Sequence, residues 1–61
     1  MIYNKIRQLC ADRGISTREI ERACGLGFRS IENWKDHNPT VANVKAVADY
    51  LGVTVDELLK D

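Results

Sequence analysis

The stretch Ile15-Ser16-Thr17-Arg18-Glu19-Ile20-Glu21-Arg22-Ala23-Cys24-Gly25-Leu26-Gly27-Phe28-Arg29-Ser30-Ile31-Glu32-Asn33-Trp34-Lys35-Asp36 decides how this chain folds. Ser16 reads as a helix cap, and Glu19 three residues later completes a capping box. The helix so opened turns Ile20, Ala23 and Cys24 inward and stops at Gly25, a C-terminal glycine. After Gly25-Leu26-Gly27 a further helix covers about residues 28–35, with Ile31 and Trp34 toward the core. Two helices of about seven residues are too short to lie antiparallel as a stable hairpin. A short glycine-containing turn between them instead sets them steeply across each other, as a helix-turn-helix over about residues 17–35. The outward face of the later helix then carries Phe28, Arg29, Glu32, Asn33 and Lys35.

Upstream, Ile2, Ile6, Leu9 and Cys10 recur at helical spacing, so residues 2–13 form an amphipathic helix that Gly14 ends. Downstream, Asp36-His37-Asn38-Pro39 is a loop, because the residue before a proline avoids helical angles. Thr40 caps a helix whose Val41, Val44, Ala48 and Leu51 make one apolar stripe, closed by Gly52. Thr54 with Glu57 forms a second capping box, opening a short helix that buries Val55, Leu58 and Leu59. No stretch alternates with a period of two. The fold class predicted is all-α, a compact bundle of five short helices in one domain over residues 1–61. None of these helices is stable alone, since isolated helices of about 12–15 residues are already marginal in water. Cohesion falls to a shared core around Ile6, Ile20, Ile31, Trp34, Val44 and Leu51.

Size and composition narrow the function. With 61 residues the chain hides roughly 60% of its unfolded surface, enough for one core and no separate catalytic domain. Hydrophobic residues are 44% and charged residues 30%, the balance of a globule rather than a disordered tail. No apolar run nears the roughly 18 residues that span a bilayer. The start Met1-Ile2-Tyr3-Asn4-Lys5 has no signal-peptide pattern, which predicts a cytoplasmic protein. There is no nucleophile–base arrangement and no phosphate loop, so an enzyme is not expected, nor a cofactor, a small-molecule substrate or a membrane partner.

Cys10 and Cys24 lie fourteen apart with His37 as the one histidine, short of the four ligands of a structural zinc site. No metal is expected. Both cysteines fall on apolar faces, where a reduced thiol behaves as a small hydrophobe. Net charge is zero, which argues weakly against nucleic acid. It is unevenly spread: residues 1–35 hold seven basic and four acidic groups, +3, and residues 36–61 hold two and five, −3. Such asymmetry orients a neutral molecule in the field of a polyanion, although two ordinary solvated surfaces give the same count.

The chain resembles the phage-repressor and Cro-like helix-turn-helix family, the xenobiotic-response-element type of bacterial regulators. The resemblance rests on Ile15-Ser16-Thr17-Arg18-Glu19-Ile20, Cys24-Gly25-Leu26, Ser30-Ile31-Glu32-Asn33-Trp34, Pro39-Thr40-Val41 and the closing run from Val47 to Leu59. It implies a lambda-repressor-like DNA-binding domain, bacterial or phage-encoded and nucleoid-associated. The third helix then enters the major groove and its first residues reach base edges. Those residues are Phe28, Arg29 and, one turn on, Asn33. Arg29 suits guanine, Asn33 suits adenine, and Phe28 can pack on a thymine methyl. Thr17, Arg18, Ser30, Lys35, His37 and Asn38 are the phosphate contacts it implies, with Arg7 a weaker one.

Plainer readings stand beside these. Phe28 also reads as a partly exposed core edge, Arg29 and Asn33 as solvated polar residues, and His37 as an idle loop residue. Trp34 reads as core rather than a stacking platform. Three positions depart from the family pattern: Thr17 stands for a glutamine, Glu21 for an alanine at the close helix crossing, and Gly27 for a serine-type cap. Glu21 is expected to lean outward and accept hydrogen bonds from the first N–H groups of the third helix, replacing the cap oxygen that Gly27 lacks.

Two functions are consistent with these residues. The first is a sequence-specific double-stranded DNA-binding transcriptional regulator, a repressor or Cro-like protein, acting as a homodimer on two operator half-sites. The fifth helix, with Val53, Val55 and Leu59, and Tyr50 beside it, is either the dimer surface or a part of the monomer's core. The alternative is a protein-interaction module, antitoxin-like or anti-repressor, which the zero net charge and the acids Glu21 and Glu32 near the groove face favour.

Overall fold

A computed structural model describes residues 2–60; Met1 and Asp61, which enter the N-terminal and charge readings, lie outside the described residues. Five helices follow one another: α1 (Ile2–Arg13), α2 (Thr17–Cys24), α3 (Ser30–Asn33), α4 (Val41–Leu51) and α5 (Val55–Leu59), with no strand among the described residues. The N-cap assignments hold, while of the two capping boxes the hydroxyl half is formed. Ser16, Thr40 and Thr54 sit in extended backbone, and each hydroxyl accepts a hydrogen bond from the N–H three residues on, at 3.2, 3.2 and 3.1 Å. Each thereby satisfies an N–H that the helix start leaves without an intrahelical partner. At the other end of α2, Gly25 turns left-handed at φ 72° and the Leu26 N–H reaches back to the Glu21 carbonyl at 2.8 Å. That closing bond needs a residue without a Cβ penalty.

All six core anchors are buried: Ile6, Ile20, Ile31, Trp34, Val44 and Leu51. Ile2, Cys10, Val47, Ala48 and Leu58 join them, and Leu9, Cys24, Leu26, Val53 and Val55 pack against the cluster from partly buried positions. α4 lies against α2 and α5, α1 against α2 and α5, and α3 rests on α2. Arg13 near the end of α1 donates from Nη1 to the Leu51 carbonyl at the end of α4, where a cation is favoured by the helix dipole.

Three inward assignments are corrected. Ala23 is exposed, Val41 is 82% exposed and Leu59 is 58% exposed. Each occupies an apolar phase of its helix, but helices this short leave no neighbour above these positions. The third helix is also shorter than expected. Residues 28 and 29 are turn, α3 proper begins at Ser30, and beyond Asn33 the chain continues in single turns to His37. The connection between α2 and α3 therefore spans residues 25–29 rather than three residues.

Ile20→Ala should cost about 2–5 kcal/mol, against a total stability of roughly 3–9 kcal/mol for a chain of this size. Val41→Ala should stay within about 0.5 kcal/mol. Urea unfolding of the two variants checks this; equal losses would contradict the burial pattern.

Candidate nucleic-acid interface

The turn into α3 is organised by one carboxylate. Glu21, on α2, is 2% exposed. Its Oε1 accepts from the Arg29 N–H at 3.1 Å and its Oε2 from the Ile31 N–H at 3.0 Å. Arg18, one turn earlier on α2, donates from Nη1 to Oε1 at 3.4 Å. The expected bonds to the start of the third helix are present, but the outward lean is not: Glu21 points into the helix crossing. A buried carboxylate is tolerable only when its oxygens are hydrogen-bonded. Here two backbone N–H groups and a guanidinium supply those bonds.

The N-cap of α3 is Arg29, not Gly27, and its own side chain makes no capping bond. Gly27 contributes its carbonyl instead, accepting from the Ser30 N–H at 3.1 Å and closing a turn around Phe28 and Arg29. Arg29 is left-handed at φ 64°, and it alone among the described non-glycine residues has a positive φ. Such backbone costs a side-chain-bearing residue roughly 1–2 kcal/mol. The bond from its N–H to Glu21 holds it there.

Around this turn the predicted base-contacting residues share the solvent side. Phe28 is 72% exposed, and Arg29 and Asn33 are exposed. The Asn33 N–H bonds to the Arg29 carbonyl at 3.1 Å, so the two positions lie one backbone turn apart. The Arg18 guanidinium stands 5.1 Å from the centre of the Phe28 ring, a cation–π contact. Arg18 and Phe28 thus form one unit, which their separation in the sequence did not announce.

The remaining predicted contacts divide. Thr17 and Ser30, the first residues of α2 and α3, are half-buried. Lys35 is exposed, with Nζ 5.7 Å from the centre of the Tyr3 ring. His37 is exposed, its backbone N–H bonded to the Asn33 carbonyl at 3.0 Å. Asn38, also exposed, lines an apolar groove of about 200 Å³ with Ile2, Pro39, Val41, Val44, Val55 and Leu59.

Glu32 does not face outward with Asn33. It is half-buried and turned to α1, accepting from the Tyr3 hydroxyl at 3.1 Å and lying 4.0 Å from Arg7 Nη1. Sequence reasoning missed this tie, since no local signal joins residues 29 positions apart. Arg7 is thereby drawn toward the acid while its side chain stays largely exposed.

Both cysteines are free. Burial pushes the Cys10 thiol up, against the opposing pull of Arg7, and burial also pushes Cys24 up. Cys24 Sγ approaches the Ala46 carbonyl at 3.6 Å. Thiols held protonated in this way are poor nucleophiles at neutral pH. Among the described residues, no cluster of His, Cys, Asp and Glu could hold a metal ion, and no helix is long and apolar enough to cross a membrane.

Glu21→Ala should strand the buried Ile31 N–H, costing about 1–3 kcal/mol and lowering Tm by roughly 10 °C. Arg29→Gly should act oppositely, raising stability by about 0.5–1 kcal/mol, because glycine sits at positive φ without strain. Thermal melts followed by circular dichroism read both. A destabilised Arg29→Gly would mean that the left-handed backbone is not strained.

The family model described as the Cro/C1-type HTH DNA-binding domain matches residues 5–61. Neither the curated proteins nor the solved structures compared with the chain gave a match. A family match running from α1 through α5, over five helices in the order and with the caps that the sequence encodes, makes this chain a member of the Cro/C1-type helix-turn-helix DNA-binding family.

Proposed function

We propose that this domain is a sequence-specific transcriptional regulator, a repressor or Cro-like protein, that reads the DNA major groove with Phe28, Arg29 and Asn33. The observation that carries the reading is the separation of charges around α3. Arg18, Arg29 and Lys35 are exposed there, while Glu21 is turned to the turn's N–H groups and Glu32 to Tyr3 and Arg7, which leaves Asp36 beside Lys35 as the exposed acid next to α3. An exposed arginine offers a guanine two hydrogen bonds, and Asn33 offers adenine the same. Phe28 supplies an apolar surface for a thymine methyl.

Arg18, Lys35 and the loop residues His37 and Asn38 serve phosphates. Thr17, half-buried, serves them at the start of α2, whose first N–H groups have no intrahelical partner, and Ser30 through its hydroxyl, because the Ser30 and Ile31 N–H groups are already bonded to Gly27 and Glu21. The protein-interaction alternative draws on the zero net charge and on Glu21 and Glu32 near the groove face. Both acids are engaged within the fold, which leaves that alternative the zero net charge alone.

The proposal includes a twofold pair. One short reading element buries too little surface for specific affinity, and two half-sites a helical turn apart supply the rest. Of the residues considered for the partner surface, Tyr50 and Leu59 are exposed, whereas Val53 and Val55 pack against the core. Regulation of this kind acts where DNA is held, at the bacterial nucleoid in the cytoplasm.

Duplex binding measured across salt concentrations tests the reading. The logarithm of the binding constant should fall linearly with log salt, at roughly 0.9 per phosphate neutralised. Arg29→Ala should relax preference at one base pair by about 1–3 kcal/mol, and Lys35→Ala should weaken all duplexes alike. Binding that ignores both salt and Arg29 would sink the proposal.

A further inference from the structure

Resting on the reading of this domain as a DNA binder, we propose that Glu21 is a positioning residue for base recognition: it sets which base Arg29 selects without touching DNA. Three observations converge on its carboxylate. Oε1 holds the Arg29 N–H at 3.1 Å and Oε2 holds the Ile31 N–H at 3.0 Å, which fixes both sides of the first residue of α3. Arg29 sits at φ 64°, a conformation that its own side chain disfavours and that the Glu21 bond maintains. The same Oε1 receives Arg18 Nη1 at 3.4 Å, and Arg18 in turn stands over Phe28 at 5.1 Å. One buried acid therefore sets the backbone under Arg29 and the guanidinium above Phe28.

The consequence is geometric. Relaxing Arg29 from φ 64° to ordinary helical backbone rotates the peptide about N–Cα by about 130°. A side chain as long as arginine's then carries its guanidinium to a different place. Bidentate recognition tolerates an error of only about 0.5 Å or 10–20°, and the planar fork of arginine cannot adapt to a changed approach as a point charge can. Loss of the Glu21 bonds thus removes discrimination at the Arg29 base pair. The phosphate contacts of Thr17, Lys35, His37 and Asn38, none of which is bonded to the Glu21 carboxylate, are kept. Gly27 fits this arrangement: with Glu21 serving as cap, the turn needs no side-chain oxygen at that position.

The test uses the full chain and duplexes selected by the wild type from a random pool, with each base pair of the selected site then changed singly. Preference is read as the ratio of affinities for two duplexes, from which the folded fraction of the protein cancels. Glu21→Gln keeps the size of the side chain but offers an amide N–H₂ where one N–H needs an acceptor. It should lower preference on the order of tenfold at the base pair that Arg29→Ala relaxes. It should leave the preference unchanged at base pairs beyond those that Arg29 and its neighbour Phe28 read, since Arg18, which stands over Phe28, shares the same carboxylate. The double variant Glu21→Gln with Arg29→Ala should discriminate at the Arg29 base pair no worse than Arg29→Ala alone.

Should Glu21→Gln bind too weakly to measure, Glu21→Asp, which keeps the charge but draws the turn back by one methylene, gives the same comparison. Its expected result is the same loss, confined to the base pairs that Arg29 and Phe28 read. A uniform loss over all duplexes would overturn the positioning role and leave Glu21 a purely structural cap; unchanged preference would overturn it as well. A wild type that shows no preference among duplexes would instead overturn the DNA reading on which the role rests. The two failures are thus told apart.

Discussion

The Glu21 carboxylate is the constraint on which the functional face depends. α3 has only four residues in regular helix, so nearly every N–H it begins with lacks a partner within the helix. Its cap residue, Arg29, offers no side-chain acceptor. A carboxylate delivered from α2 meets that need through the helix crossing, and its burial is tolerated because two backbone donors and Arg18 surround it. Four features of the face depend on that placement. Arg29 is held left-handed, Gly27 is freed from capping, Phe28 stays in solvent, and Arg18 is placed above its ring.

Net charge describes this domain poorly. The chain is neutral as a whole, which on its own speaks against a polyanionic partner. Yet an acid matters to an approaching phosphate only where its charge reaches solvent unpaired. Glu21 is sealed at the crossing of α2 with α3, and Glu32 is tied to Tyr3 with Arg7 close by. Near α3 the exposed cations Arg18, Arg29 and Lys35 then outnumber the exposed acid, Asp36. Low local dielectric around the Glu21 bonds strengthens each of them, as it would penalise the acid had it been left unpartnered.

Much of the fold was legible because its signals are local. Ser16, Thr40 and Thr54 announce helix starts by side-chain bonds three residues long, and Gly25 announces an end by its own backbone freedom. Ile20, Ile31 and Trp34 mark inward faces by spacing alone. The start of α3 was not legible. Phe28 looks like an apolar helical position, and although Glu21 is expected to accept from the first N–H groups of this helix, nothing local signals that its bond to the Arg29 N–H meets a left-handed turn. Periodicity likewise marks Val41, Ala23 and Leu59 as apolar phases, but whether a neighbouring helix covers them is a tertiary matter. In so small a bundle none does. The inward turn of Glu32 depends on Tyr3, and nothing near either residue signals the other.

The surface proposed to meet DNA is the clamped turn together with the single-turn helix behind it. Amide chemical-shift mapping, as a selected duplex is titrated into isotopically labelled protein, tests it most directly. The largest changes are expected at Arg18, at residues 28–30, and at Asn33 and Lys35. Smaller changes at Tyr50 and Leu59 would mark the contact between two copies. Changes confined to the groove lined by Pro39, Val41 and Leu59, with Arg29 and Asn33 silent, would contradict it.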